Sequence, residues 1–321
     1  LFDVLGQEYA LKAFKTSFDK NRISHAYVIT GPDGVGKSIF AMHIAAVLLC
    51  SGEKKPCGVC DQCLKVQHSN HPDVMVVSKG GKSIGVDDIR DVINEVYTKP
   101  YEGNRKVIII KNADAITVQG QNAILKTLEE PSDDTTIIMT AENTGMLLET
   151  ILSRCQILKL GRIPGEKIKG YLMTRGIEEN KATTAASLSD GVLGNALRFL
   201  DEKFIKLREE TIKVSRDVLR NDTLKALDAS NFFIDNKDNI DIIFDIMMSW
   251  FRDIIVLKHV RDRETLINRD LYDKLIEESQ RLSYDRLCKI IDEINSTREK
   301  LRFNANFQLT VEVMLLNIQE V

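Results

Sequence analysis

Neither glycine nor proline occurs between residues 195 and 321, a stretch in which average usage would supply about 15 of them. A run that long without backbone breakers excludes a turn-rich β fold there and predicts a region almost wholly helical. Within it Ile240, Ile243, Phe244, Met247, Trp250, Phe251, Ile254 and Ile255 recur at i, i+3, i+4 spacing, the pattern of a buried face in a helical bundle. An excess of either charge is also missing. Lys+Arg total 44 against 47 Asp+Glu, a net charge of −3, and neither half of the chain is basic. That argues against strong autonomous DNA binding by broad phosphate neutralisation, while leaving room for a local basic patch. No apolar run approaches the roughly 18–20 residues of a membrane span, the longest being Ile44–Cys50. Leu1-Phe2-Asp3 shows no charged-then-apolar leader, and with Leu at position 1 a residue or more is expected to precede it. Cysteines scattered as a disulfide framework are missing too: four of the six crowd together and Cys155 and Cys288 stand alone, as in an intracellular protein. A soluble cytoplasmic protein with no membrane contact is the expectation.

What is present is enough apolar residue, 43% of 321, to bury a sizeable core and exclude disorder. Two or three domains fit that length. Ahead of residue 164, Ala26–Ile29, Val74–Val77, Val107–Ile110, Thr136–Met139 and Ile157–Leu158 read as short buried strands. Helical patterns at Ile39–Leu49, Ile84–Val96 and Ala123–Leu128 lie between them. Apolar strands alternating with helices predict a parallel sheet covered on both faces. Hinges near Gly161–Gly165 and near Asp201 divide the chain into an α/β domain over 1–163, a small helical domain over 164–203 and a helical region over 204–321.

After the first strand stands Gly31-Pro32-Asp33-Gly34-Val35-Gly36-Lys37-Ser38, then an apolar-periodic helix. It fits G-x-x-x-x-G-K-[ST] in the strand–loop–helix setting that the motif requires. Gly31, Gly34 and Gly36 let backbone N–H groups curl around phosphates, Lys37 reaches the β/γ-phosphates and Ser38 coordinates Mg²⁺, so an ATP/Mg²⁺ site is expected. Hydrolysis needs in addition an acidic residue at the end of a core strand. Here Val107–Ile110 runs into Lys111-Asn112, which supports neither Mg²⁺ nor an attacking water. Binding without turnover is the expectation, with Asp114 expected to cap the following helix.

Cys50, Cys57, Cys60 and Cys63, spaced x6, x2 and x2, sit in an insertion over about 50–72, behind the phosphate-loop helix. Four thiolates close a zinc tetrahedron, the form of a structural site. His68 and His71 are near enough in sequence to be alternative fourth ligands, and a redox CxxC pair is the runner-up.

Taken in order, Gly6-Gln7, the phosphate loop, the cysteine insertion, the run Asn122-Ala123-Ile124-Leu125-Lys126-Thr127-Leu128-Glu129-Glu130-Pro131 and Ser153-Arg154-Cys155 resemble the AAA+ clamp-loader subunits of bacterial DNA polymerase III, over almost the whole chain. The resemblance implies a RecA-like P-loop domain, a small helical lid and an all-α collar that joins a hetero-pentameric ring. Its implied partners are the motor (gamma/tau) and delta subunits, the sliding clamp and primer-template DNA. The motor subunit carries Asp-Glu after its Walker B strand and an Arg in Gly-x-x-Arg-x-Ala-Leu. This chain has Lys111-Asn112, and Gly191-Val192-Leu193-Gly194-Asn195-Ala196-Leu197 places Gly194 at the Arg position. Losing both while keeping Ser153-Arg154-Cys155 resembles the delta prime type. That implies a non-hydrolysing stator of the polymerase holoenzyme, without catalysis of its own, whose Arg154 acts as an arginine finger on a neighbouring subunit's ATP during clamp loading for DNA replication. A surface ion pair of Arg154 with a carboxylate such as Glu149 is the plainer alternative. Ser83–Arg90 resembles the segment near the DNA channel and makes Lys79, Lys82 and Arg90 candidate phosphate contacts. Asn304, Asn306, Leu309 and Glu312 resemble the last collar helix. The competing readings are an ATP-hydrolysing motor-type subunit or other P-loop ATPase, and a zinc-dependent DNA-binding protein using Lys54, Lys55 and Lys65 beside the cysteine loop.

Overall fold

The computed structural model describes residues 4–79, 83–220, 223–260, 262–303 and 305–320. The chain packs as two compact units, Leu1–Ile177 with Gly191–Gly194, and Glu178–Asp190 with Asn195–Val321. In the first, the elements run α1 (Glu8–Asp19), β1 (Ala26–Thr30), α2 (Lys37–Leu49), α3 (Asp61–Gln67), β2 (Val74–Val77), α4 (Val86–Val96), β3 (Lys106–Ile110), α5 (Val118–Glu129), β4 (Thr135–Ala141), α6 (Glu149–Leu152), β5 (Gln156–Lys159) and α7 (Gly165–Thr174). The five strands form one all-parallel sheet in the order β2-β3-β4-β1-β5, the AAA+ arrangement of a P-loop domain. All five strands expected from the apolar runs are present.

Alternation within those runs builds two cores. Tyr27 and Ile29 of β1 and Val107 and Ile109 of β3 pack with Phe14 of α1 and Phe40 and Ile44 of α2. Ala26 and Val28, with Ile108 and Ile110, face Ile89 and Val92 of α4 and Ile124 of α5. Because every strand runs the same way, the chain ends that follow β1, β3 and β4 meet at one edge of the sheet. Helix α4 starts at Val86, not at Ile84, whose backbone instead bridges Ile116. The Gly6-Gln7 pair ties the start of this unit to its end. Gln7 Nε2 donates to the Gly161 carbonyl at 2.8 Å, and the Gly161 amide donates to Gln7 Oε1 at 3.0 Å.

The second unit is helical: α8 (Glu179–Leu188), the greater part of α9 (Leu193–Arg198), α10 (Glu202–Val218), α11 (Thr223–Asp235), α12 (Ile240–His259), α13 (Tyr272–Arg281), α14 (Tyr284–Arg302) and α15 (Phe307–Glu320). Ile243, Phe244, Met247, Trp250, Phe251 and Ile254 of α12 are buried at its centre. Without glycine or proline after residue 194, three of these helices are started by side chains that cap them. Asp201 accepts the Lys203 amide, Ser283 the Arg286 amide and Asn306 the Leu309 amide. The buried Asp253 carboxylate accepts the amides of Ile267 and Asn268 and orders the link between α12 and α13. Among the described residues, no helix is long and apolar enough to cross a membrane.

Candidate functional site

The phosphate loop leaves β1 and enters α2, with Gly34 and Gly36 at φ +73° and +100°, left-handed values that glycine adopts without strain. Gly31, Gly34, Gly36, Lys37 and Ser38 are thus brought together at the carboxyl edge of the sheet. The Lys37 ammonium is buried and turned onto its own loop, donating to the Gly31 and Pro32 carbonyls at 2.9 Å each. Burial pulls its pKa below the usual lysine value, against the opposing pull of the Glu142, Asp33 and Asp114 carboxylates. Beside the loop, the Gly31 amide donates to the Ala141 carbonyl at 3.4 Å, so Glu142 follows directly on the contact between β4 and the loop. Lys111-Asn112 follows β3 at the same edge. Asp114 does not cap α5. Its Oδ2 accepts the Glu142 and Asn143 amides at 2.9 and 3.3 Å and fastens the end of β4, while Thr117 caps α5 by accepting the Gly120 amide. Gly194 donates its amide to the Gly34 carbonyl at 3.0 Å. No periodicity in the sequence announced that contact.

The four cysteines converge. The Sγ atoms of Cys50, Cys57, Cys60 and Cys63 all lie within 4.8 Å of one another, and those of Cys50 and Cys60 are 3.9 Å apart. Zn–S bonds of about 2.3 Å in a tetrahedron set sulfurs about 3.8 Å apart, so the residues fit zinc. Backbone amides already point at the sulfurs: Gly52 and Cys57 donate to Cys50, Cys60 to Cys57 and Cys63 to Cys60, at 3.3–3.4 Å. At Cys60 burial pushes the thiol pKa up, but hydrogen bonds from Ser51 and from the Cys63 amide outweigh it and bring it down to about 5. Burial, with the neighbouring Cys60 and Cys50 sulfurs, pushes Cys63 up to about 12. Thiols this close do not all ionise unless a cation sits among them. Neither histidine joins the cluster. His71 is engaged on both sides, Nδ1 accepting the Asp73 amide at 3.0 Å and Nε2 against Gln62 Oε1, and His68 is exposed.

Arg154 lies in the turn between α6 and β5. One guanidinium nitrogen meets Glu129 Oε1 at 2.6 Å, and the other donates to the Thr150 carbonyl at 2.9 Å and to Ser153 Oγ at 3.2 Å. Its ion-pair partner is Glu129, from the end of α5, and not Glu149. β5 pairs with β1 from Gln156 opposite Tyr27 to Lys159 opposite Thr30. Arg154 therefore sits at the amino edge of the sheet, about 10 Å of strand away from the edge that carries the phosphate loop. Lys79 pairs with Asp88 at 2.8 Å and Arg90 with Asp87 at 2.7 Å, both carboxylates belonging to α4. Lys82 lies outside the described residues, as does Asn304.

A family model described as DNA polymerase III, delta subunit, matches residues 6–164, and one described as DNA polymerase III, delta subunit, C terminal, matches residues 202–320. The DNA polymerase III subunit delta' of Bacillus subtilis (strain 168) is 28% identical over 98% of this chain and 96% of its own length. The tau subunit of the same strain is 26% identical over 98% of this chain and 61% of its own length. Among solved structures, the DNA polymerase III gamma subunit-related protein of Thermotoga maritima aligns with 96% of this chain and 98% of its own, at 19% identity and a TM-score of 0.43. With both regions matched by models of DNA polymerase III subunits, and a delta' relative aligned nearly end to end, the chain belongs to the delta prime family of bacterial DNA polymerase III clamp-loader subunits.

Proposed function

We propose that this chain is the non-hydrolysing stator of the clamp loader and supplies Arg154 in trans to the ATP of a neighbouring motor subunit. The observation that carries the proposal is the position of Arg154 at the sheet edge opposite its own phosphate loop. From there it cannot reach a nucleotide held by Lys37, and its half-exposed guanidinium is left for one held by a neighbour. A planar, permanently charged guanidinium stabilises charge that spreads over the transferring phosphoryl group. Its pair with Glu129 is half-exposed and of the kind worth about 0–1 kcal/mol, so it is readily exchanged for a phosphate. On the chain's own side, Lys111-Asn112 and Gly194 replace the groups that hydrolysis needs. The same reading keeps the division into a P-loop domain over 1–163, a lid over 164–203 and a collar over 204–321, with the motor and delta subunits, the sliding clamp and primer-template DNA as partners. Zinc would be held by Cys50, Cys57, Cys60 and Cys63, where it fixes the insertion and leaves no open coordination position for chemistry. Lys79, Lys82 and Arg90 are the proposed phosphate contacts, Lys79 and Arg90 leaving Asp88 and Asp87 for DNA.

The test is a loader reconstituted with motor and delta subunits, compared with Arg154→Ala at matched assembly and saturating clamp and DNA. DNA-stimulated ATPase should fall, by less than the roughly 10³-fold or more of a sole finger, because only one motor site abuts this subunit. Arg154→Lys should rescue poorly, a point charge being no substitute for the planar fork. Hydrolysis and clamp loading at the unaltered rate with Arg154→Ala would leave Arg154 as a surface ion pair and end the proposal.

A further inference from the structure

The phosphate loop turns two of its donors onto itself. Lys37 Nζ is bonded to the Gly31 and Pro32 carbonyls, and the Val35 amide donates to the Pro32 carbonyl at 3.3 Å. A polyphosphate needs that ammonium, so Lys37 must release the Gly31 and Pro32 carbonyls before one is bound. Gly34, between Pro32 and Lys37 in the same loop, is held from outside: its carbonyl accepts the Gly194 amide at 3.0 Å. The turn that brings Gly194 there is itself fixed, the Ile163 amide donating to the Gly191 carbonyl at 2.7 Å.

Gly194 has no backbone reason to be glycine. It stands in the first turn of α9 with an ordinary φ, where alanine is favoured over glycine by about 1 kcal/mol. What alanine lacks is room, because a Cβ at 194 would meet the Gly34 Cα at 2.8 Å and the Gly34 carbonyl oxygen at 2.9 Å. Both are backbone atoms and cannot swing aside. Gly194 thus permits a close backbone contact that holds the loop.

We infer that Gly194 latches the phosphate loop onto itself, so that a nucleoside polyphosphate enters only when the Gly191–Gly194 turn withdraws from Gly34. The inference rests on residues 31–38 being the nucleotide site. Apparent affinity is then reduced by the fraction of molecules in which the latch is open.

The experiment titrates the full chain with a fluorescent ADP and a fluorescent ATP. Gly194→Ala should bind either nucleotide about tenfold or more tighter than the unaltered chain, with the gain removed by Lys37→Ala in the same background. Equal or weaker binding by folded Gly194→Ala overturns the latch. Hydrogen exchange on the unaltered chain gives a second reading that needs no variant. Saturating ADP should speed exchange at the Gly194 amide, and an amide equally or better protected with ADP bound overturns the latch as well. Binding that survives Lys37→Ala refutes something else, the assignment of 31–38 as the site, so the two failures are distinguishable.

Discussion

At the scale of single residues, Asp73 carries more of the fold than its place in the sequence suggests. Its buried carboxylate, just ahead of β2, accepts the amides of Tyr101, Glu102 and Gly103, the last two at 2.9 and 2.8 Å, and so fastens the link between α4 and β3. Burial alone would raise its pKa, but the three amide hydrogen bonds overcome it and hold the pKa below the ordinary 3.8. The sign follows. A carboxyl whose folded pKa lies below its unfolded one contributes stability above the unfolded value and loses it as pH falls through the folded value. Asp73→Asn keeps the shape, removes the charge and turns one acceptor into a donor facing amides, so it should cost about 1–3 kcal/mol at neutral pH. The gap in melting temperature between variant and parent should then close below about pH 4. Equal melting temperatures at neutral pH would show that the three contacts contribute nothing net. A lone aspartate before a strand has no periodicity or spacing to mark it. Its partners are distant backbone groups that only the folded chain brings close.

Among the elements, the cysteine insertion makes the sharpest prediction. Reduced, purified protein should contain about one zinc per chain. Chelation should speed hydrogen exchange over residues 50–67 and leave the strands protected, since the sheet packs on cores that contain no sulfur ligand. Metal analysis without zinc, or a disulfide between any two of the four, would replace the structural site by redox chemistry. This element was legible because metal-ligand spacing is local: each Cys-x-x-Cys places two sulfurs on one short turn. The five strands were legible for a similar reason, as β-branched runs such as Val107–Ile110 have few other uses. The ends of the late helices were not. Asp201, Ser283 and Asn306 do the work that glycine and proline do elsewhere, and polar residues of those types are too common in residues 195–321 to be picked out as caps. Asp114 misled for the same reason, since a carboxylate near a helix start serves an adjacent strand end equally well. The site itself divides likewise. Lys37 and Arg154 came from motifs, whereas Glu129 as the partner of Arg154 and Gly34 as the partner of Gly194 required the sheet to be assembled.

For the whole molecule, the proposed function divides two halves of a phosphoryl-transfer site between the two edges of one parallel sheet. On that proposal the carboxyl edge holds the phosphate loop, with Lys111 and Gly194 beside it in place of the acid and cation of a hydrolysing subunit, and the amino edge holds Arg154. The isolated chain should therefore hydrolyse ATP negligibly. Turnover on the order of 1 s⁻¹ or more, abolished by Lys37→Ala, would make it a motor and not a stator. Repair should also be harder than the sequence suggests. Lys111→Asp with Asn112→Glu restores the acids that hold Mg²⁺ and polarise water, yet supplies no cation for the developing charge. Adding Gly194→Arg would supply that cation, its Cβ parting the turn from Gly34 as Gly194→Ala does. The Lys111→Asp/Asn112→Glu chain should accordingly stay as inactive as its parent in a steady-state ATPase assay. If those two substitutions alone confer Lys37-dependent turnover, the cation position is dispensable and the acid pair was the sole missing part.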